Sequence, residues 1–204
     1  MLLFLAKINT FPILFPFCKW KLLNKENKAA IEGGKILICN HTSKLDVPML
    51  SYIFFKKKIY YPASATMFQA GKLPSAMFRA LGAVRVDTNE LSVDMLAELA
   101  DKLDKNQLVC VFPEGKCNKE DKLLEFQCGV GMLIHALKKN VVPICLDGNY
   151  GLFKRCKVAI GDEIPYEELQ KFDDNTLGGV QLMMSSLRDR MQQMLDEIRQ
   201  NERT

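Results

Sequence analysis

The residues of this chain best suited to acid–base chemistry are a histidine and an aspartate in the segment Asn40-His41-Thr42-Ser43-Lys44-Leu45-Asp46. An imidazole titrates near neutral pH, so it can take a proton from a hydroxyl group while that hydroxyl attacks an electrophile. A carboxylate on one ring nitrogen fixes the tautomer and stabilises the imidazolium that forms. His41 and Asp46 are therefore a candidate general base and its orienting acid.

The residues around this pair predict how it is positioned. The apolar run Ile36–Cys39 ends just before it and has the length of a buried strand. Ser43 and Asp46 are good helix N-cap residues, and Pro48 suits a first helical turn. A strand that turns directly into a helix can bring the Asp46 carboxylate back onto the His41 ring.

A second motif, Phe112-Pro113-Glu114-Gly115, also follows an apolar run, Leu108–Phe112. It places a carboxylate and a glycine where a strand ends. Ligands of α/β sheets gather at such strand ends.

The rest of the chain alternates between patterns typical of strands and of helices. A period of two or a short apolar run predicts strands at 36–39, 58–61, 84–86, 108–112, 141–146 and 157–160. Apolar residues at helical spacing predict helices at 46–55, 73–80, 91–104, 126–138 and 176–200. This alternation predicts an α/β sandwich: one domain, residues 24–204, with a mainly parallel central sheet flanked by helices.

The two motifs, in this order, resemble those of the glycerolipid acyltransferase family, which includes the 1-acylglycerol-3-phosphate acyltransferases. Further matches are Gly82–Asp87, Phe126 with Gly129, Val142–Ile144 and Val158–Gly161. The resemblance implies transfer of a fatty acyl group from a thioester of coenzyme A or acyl carrier protein to a glycerolipid hydroxyl. It implies that His41 is the general base, that Asp46 orients it, and that no cofactor is needed.

The resemblance also implies an acceptor site, in which the second motif, here Glu114, Gly115 and Lys116, binds the glycerol phosphate. Two family arginines are replaced in this chain, by Thr88 and Cys117. We hypothesise that Arg85 and Lys116 replace them as cationic partners of the acceptor. Acylation of another lyso-lipid, such as a lysophospholipid or an aminoacyl lipid, and a membrane module without catalysis remain alternatives.

Charge and hydropathy point to a membrane surface. Residues 1–80 hold 12 Lys and Arg against 3 Asp and Glu, whereas the whole chain has a net charge of +4. Residues 1–23 are strongly apolar but interrupted by lysines and prolines, so we expect them to lie in one leaflet rather than span the bilayer. Trp20, between two lysines, resembles an interfacial anchor. The predicted location is peripheral or monotopic, on the cytoplasmic face.

Other partners are not expected. The basic charge is not accompanied by any nucleic-acid-binding motif. The seven cysteines form no Cys-x-x-Cys pair, which favours reduced, buried thiols. Two histidines and no clustered ligands argue against a metal site.

Overall fold

Seven strands form one sheet in the part of the chain that the computed structural model describes, which is residues 16, 19–69, 79, 81–86, 92–172 and 176–200. They are β1 Trp20–Leu22, β2 Lys35–Cys39, β3 Ile59–Ser64, β4 Ala83–Val86, β5 Leu108–Val111, β6 Val141–Leu146 and β7 Cys156–Ile160. Their order across the sheet is β1-β7-β6-β2-β5-β3-β4. Neighbouring strands are parallel except β6 and β7, which are antiparallel. The predicted mainly parallel sheet is confirmed.

The central strands are apolar at consecutive positions because both faces of the sheet are covered. Ile36 and Ile38 of β2 pack into one apolar layer, whereas Leu37 and Cys39 pack into the other. The first layer contains helices α3 Val93–Asp104, α4 Cys128–Leu137, α5 Tyr166–Gln170 and α6 Leu177–Gln200. The second contains α2 Asp46–Ile53, and α1 Lys25–Ala30 follows β1. The α/β sandwich is therefore as predicted.

Most predicted elements are present, with ends displaced by a few residues. Helix α3 begins at Val93 rather than at residue 91, because the Ser92 hydroxyl caps it by accepting a hydrogen bond from the Met95 N–H at 3.2 Å. The predicted helix at 73–80 lies outside the described residues, apart from Arg79.

The segment from 24 to 34 contains α1, a helix that the sequence pattern does not predict. This helix has no buried residues, so no apolar stripe marks it in the sequence. The Asn27 amide holds it to the sheet by donating to the Ile160 carbonyl at 2.9 Å.

The first strand overlaps the inner end of the predicted N-terminal segment, residues 1–23. Trp20 pairs with Cys156 in the parallel β1–β7 ladder, and the Trp20 ring stacks on Tyr52 with centroids 6.5 Å apart. The sheet therefore begins at residue 20, not after residue 23. Residues 1–15, 17 and 18 lie outside the described residues, so membrane association of this segment stays a prediction.

Within the described residues, we find no helix with both the length and the apolar character needed to cross a bilayer.

Candidate active site

The two motifs lie side by side at one edge of the sheet. His41 follows β2 and the second motif follows β5, and these strands are parallel neighbours in which Leu37 pairs with Cys110 and Ile38 with Val111. The carboxyl ends of both strands therefore open onto the same edge, which we call the catalytic rim.

The contact predicted between the carboxylate and the imidazole is present. His41 Nδ1 lies 2.8 Å from Asp46 Oδ2, and Asp46 is fully buried, whereas the His41 side chain is 19% exposed. Because a carboxylate accepts, Nδ1 carries the proton and Nε2 carries the lone pair. The His41 ring also stacks on Phe112 at a centroid distance of 4.2 Å. Packing and hydrogen bonding together define the ring orientation.

Asp46 is held by several donors besides the imidazole. The Thr42 and Ser43 N–H groups donate to Oδ2 at 2.7 and 2.9 Å. The Thr42 hydroxyl donates to Oδ1 at 3.0 Å, and the Tyr150 hydroxyl donates to the same oxygen. Charge-assisted hydrogen bonds of this kind fix the carboxylate in the one position from which it reaches the imidazole.

Ser43 does not have the capping role expected of it. Helix α2 begins at Asp46, its N-cap residue is Leu45, and no side chain caps it. The Ser43 hydroxyl instead accepts from the Leu45 N–H at 3.2 Å, within the turn that precedes the helix. Asp46 turns its carboxylate back toward this loop. The loop geometry is therefore built around Asp46 rather than around a helix cap.

Glu114 fixes the backbone of His41. Its Oε1 accepts the His41 N–H at 3.1 Å, and its Oε2 accepts the Asn118 amide at 2.9 Å and the Leu124 N–H at 3.0 Å. The Asn118 N–H in turn donates to the His41 carbonyl at 2.6 Å. Glu114 is 4% exposed. Both oxygens are therefore occupied within the protein, and an acceptor contact by Glu114 stays a prediction.

Gly115 occupies a position that disfavours any residue with a side chain. Its φ is +69°, and a Cβ there would lie 2.0 Å from the Gln127 amide nitrogen. The turn that it forms is closed by its N–H donating to the Phe112 carbonyl at 3.1 Å. Lys116 follows on the exposed outer side of this turn. The geometry accounts for the glycine, and its contact with an acceptor stays a prediction.

Arg85 lies on the face of the sheet that also carries His41. Val84 is buried in the opposite layer, so alternation along β4 turns the exposed Arg85 away from that layer. Arg85 pairs with Ala63 of β3, and Tyr61, two positions earlier on the same face, stacks on Phe112. Arg85 therefore shares a face of the sheet with Tyr61, although β4 is separated from β5 by β3, and its contact with an acceptor stays a prediction.

Three polar residues of the site were not anticipated from the sequence. Asn40 bridges β2 and β6, since its amide donates to the Leu146 carbonyl at 2.9 Å and accepts the Leu146 N–H at 2.7 Å. The Asn118 amide donates a hydrogen bond to Glu114, and the Tyr150 hydroxyl donates one to Asp46. Tyr150 follows the carboxyl end of β6, a position that strand-end reasoning could have singled out. Asn118 carries no such signal.

A polar cavity of about 260 Å³ lies against the loop that carries the dyad. Six of its lining residues are Thr42, Ser43, Asn118, Lys119, Tyr150 and Arg199. Arg85, Glu114, Gly115 and Lys116 are not among the described residues that line it. The structure therefore adds Lys119 and Arg199 to the cations near the motif loop.

Two buried cysteines near the site, Cys39 and Cys110, are poor nucleophiles. Burial raises the pKa of the Cys39 and Cys110 thiols well above their ordinary values. A thiol reacts as its thiolate, so these side chains stay inert at neutral pH.

Comparison with known proteins agrees with the fold and the predicted family. A family model described as Acyltransferase matches residues 19–147. A 1-acyl-sn-glycerol-3-phosphate acyltransferase of Helicobacter pylori is 25% identical over 131 residues, which are 59% of this chain and 52% of that protein. A Bacillus subtilis protein of the same name is 26% identical over 143 residues, which are 69% of this chain and 70% of the relative.

A solved structure has the same fold. The crystal structure of the 1-acyl-sn-glycerophosphate acyltransferase PlsC from Thermotoga maritima has a TM-score of 0.68 at 19% identity, covering 97% of this chain and 78% of that one. The chain spans about half the length of several curated relatives, 49% and 52% for two of them. The family model nevertheless covers more than half of the chain and includes both motifs. The chain belongs to the acyltransferase family.

Proposed function

We propose that this protein is a membrane-associated O-acyltransferase that moves a fatty acyl group from a thioester to a hydroxyl of a glycerolipid such as 1-acylglycerol-3-phosphate. The observation that carries the proposal is the 2.8 Å contact between His41 Nδ1 and the buried Asp46 in a member of the acyltransferase family. The names of the Helicobacter and Bacillus relatives support this acceptor class.

His41 acts as the general base in the proposed reaction. Its Nε2 accepts the proton of the acceptor hydroxyl while the hydroxyl oxygen bonds to the thioester carbonyl carbon. The carbon–sulfur bond then breaks, and the leaving thiolate takes the proton from the imidazolium. Asp46 stabilises the imidazolium between these two proton transfers. The products are an ester and a free thiol.

The acceptor is proposed to bind beside the dyad on the catalytic rim. Arg85 and Lys116 supply positive charge for a phosphate, and the turn at Gly115 lets it approach the backbone. Glu114 contributes by holding the His41 backbone, whether or not it also contacts the glycerol. The donor is a thioester of coenzyme A or of acyl carrier protein, either of which presents the same carbonyl to the rim.

An acceptor other than 1-acylglycerol-3-phosphate is the second candidate. Thr88 and Cys117 occupy two positions where the family has arginine. Lysine cannot copy the bidentate grip of arginine on phosphate. A lyso-lipid whose phosphate is capped, or one without a phosphate, fits this loss of arginines. A module without catalysis fits less well, because binding alone does not require the dyad.

Thioester consumption by the purified chain tests the proposal. The thioester is offered with 1-acylglycerol-3-phosphate, lysophosphatidylcholine, lysophosphatidylglycerol or an aminoacyl lyso-lipid, and His41→Ala is the matched inactive control. The expected result is acceptor-dependent thiol release by the unchanged chain and none by His41→Ala. Equal thiol release by both proteins with a proven acceptor would overturn the mechanism. Release with only a different lyso-lipid would select the second candidate.

A further inference from the structure

The loop between β6 and β7 exposes two large apolar side chains side by side. Phe153 is 92% exposed and its neighbour Leu152 is 46% exposed. Exposed apolar side chains scattered singly are ordinary, but an adjacent pair that includes a nearly fully exposed aromatic ring favours an apolar or interfacial partner. We call residues 151–155 the rim loop.

The rim loop lies at the same edge of the sheet as the dyad. β6 is parallel to β2, so the chain leaves both strands at the catalytic rim. Tyr150, which directly precedes the rim loop, donates a hydrogen bond to Asp46. A partner that covers Leu152 and Phe153 therefore lies close to the site where the acceptor is proposed to bind.

Positive charge surrounds the apolar pair. Lys154 and Arg155 are exposed on the rim loop, and Lys157 follows on β7. From Gly148 to Gly161 the chain contains no acidic residue. Lys19 directly precedes β1, and its ammonium group donates to the Leu152 carbonyl at 3.2 Å. The charge favours an anionic partner.

The chain enters the sheet at the same place. β1 is parallel to β7, and Trp20 pairs with Cys156, the first residue after the rim loop. Lys19 therefore stands at the catalytic rim, where the apolar N-terminal segment predicted to lie in a leaflet joins the domain. The position of this junction connects the rim loop to a lipid surface more directly than to a soluble partner.

We propose that the rim loop is a second membrane-docking element, in which Phe153 and Leu152 insert among anionic lipid headgroups and the flanking cations bind those headgroups. An aromatic ring next to basic side chains is suited to the interface between lipid and water. Docking in this way brings the dyad to the surface that holds a lipid acceptor. The role in acyl transfer rests on the proposed function, but membrane binding by the loop does not.

Vesicle co-sedimentation of the full chain tests the docking without relying on turnover. Phe153→Ser is expected to weaken binding to vesicles of phosphatidylcholine mixed with phosphatidylglycerol by about tenfold. The matched control is Leu182→Ser, because Leu182 is 65% exposed on α6. It lies about 25 Å along that helix from Arg199, which contacts the loop at the catalytic rim. This control is expected to bind like the unchanged chain.

The flanking cations provide an independent test of the proposed headgroup contact. The double variant with Lys154→Gln and Arg155→Gln is expected to bind the anionic vesicles more weakly, by about fivefold for each charge removed. Binding to vesicles of phosphatidylcholine alone is expected to change little. Equal loss on both kinds of vesicle would contradict the headgroup contact.

Insertion itself is read by fluorescence. Trp20 is the only tryptophan of the chain, so its emission is removed by subtracting the spectrum of the unchanged chain with the same vesicles. The remaining emission of Phe153→Trp is expected to shift to shorter wavelength when anionic vesicles are added, whereas that of Leu182→Trp is not. Unchanged binding of Phe153→Ser, or no shift for Phe153→Trp, would overturn the proposal. An emission that is already at shorter wavelength without vesicles would show that another segment of the chain covers residue 153, and this would also overturn the proposal. Failure of acyl transfer with docking intact would overturn the proposed function alone.

Discussion

The buried acids and the exposed cations of the catalytic rim are held in opposite ways. Asp46 and Glu114 are 0% and 4% exposed, and both accept backbone N–H groups of the loop that carries His41. Lys116 and Arg85 are exposed at the surface. The acids therefore define the geometry of the free protein, whereas the cations face solvent, where a charged ligand would approach. Substitution of the acids should affect turnover and folding, and substitution of the cations should affect acceptor binding.

The largest effect is expected from Asp46→Asn. The amide cannot stabilise an imidazolium, and its NH₂ group faces donors that require an acceptor. Acyl transfer should fall by roughly 10²–10⁴-fold, the range of general-base effects. Steady-state kinetics with a proven acceptor measures the loss. Asp189→Asn, at a 66% exposed side chain on α6, is the control and should keep full activity.

Glu114→Gln should be the most destabilising of the changes at the rim. A glutamine offers one acceptor oxygen where Glu114 uses two, so at least one buried N–H of His41, Leu124 or Asn118 loses its partner. An unsatisfied buried group costs about 1–3 kcal/mol. Chemical denaturation measures this as a lower midpoint, which Glu120→Gln, on the exposed side of the same loop, should not show. A stable but inactive Glu114→Gln protein would instead favour an acceptor contact.

Tyr150→Phe should have a smaller effect, confined to kcat. Loss of the hydroxyl removes one donor to Asp46, worth about 1 kcal/mol or roughly fivefold in rate, while both Michaelis constants stay unchanged. Tyr60→Phe, on the opposite face of the sheet, is the control. A change in either Michaelis constant would show that Tyr150 contacts substrate instead.

Tyr150 also predicts how stability depends on alkaline pH. Burial raises the pKa of its phenol well above the usual value, so the folded state keeps a proton that the unfolded chain loses above about pH 10. The unfolded state then binds fewer protons, and the free energy of unfolding falls as pH rises through that range. Tyr150→Phe should show a shallower fall, measured by denaturation at pH 9 to 11.

The smallest effects are expected from the exposed cations. Arg85→Ala or Lys116→Ala should raise the acceptor Michaelis constant by about two- to threefold, typical of exposed charge pairs, without changing that of the thioester. Lys58→Ala is the control, since its ammonium group lies over the Tyr60 ring on the other face. Equal changes for donor and acceptor would contradict the proposed site and favour an acceptor without a terminal phosphate.

Much of the fold was predictable because its central strands are marked by composition. β2 and β5 read as uninterrupted apolar runs, since helices cover both of their faces. The elements that were missed lack such a mark. β1 is three residues long, α1 buries no residue and α5 has five residues. Their positions depend on contacts with β7 and the sheet rather than on local pattern.

The contacts of the site likewise include some that local sequence spacing predicts and others that depend on the fold. The contact of His41 with Asp46 crosses a single turn, so the spacing of the two residues was enough to predict it. The contacts of Glu114 with His41 and of Tyr150 with Asp46 join residues 73 and 104 positions apart. Such contacts arise from strand order and loop packing, which no short motif encodes. The capping role predicted for Ser43 was wrong because this good capping residue lies one turn before the helix begins.

The position of β2 in the sheet has a consequence for synthesis of the protein. The strand that leads into His41 is central, yet both of its neighbours come later in the chain, and the contacts that complete the site reach 73 and 106 residues ahead. Closing such long loops costs entropy before any contact offsets it, which slows folding. A growing chain that has not yet reached β5 presents an apolar strand with two open edges. The risk of aggregation is therefore greatest before translation passes the second motif.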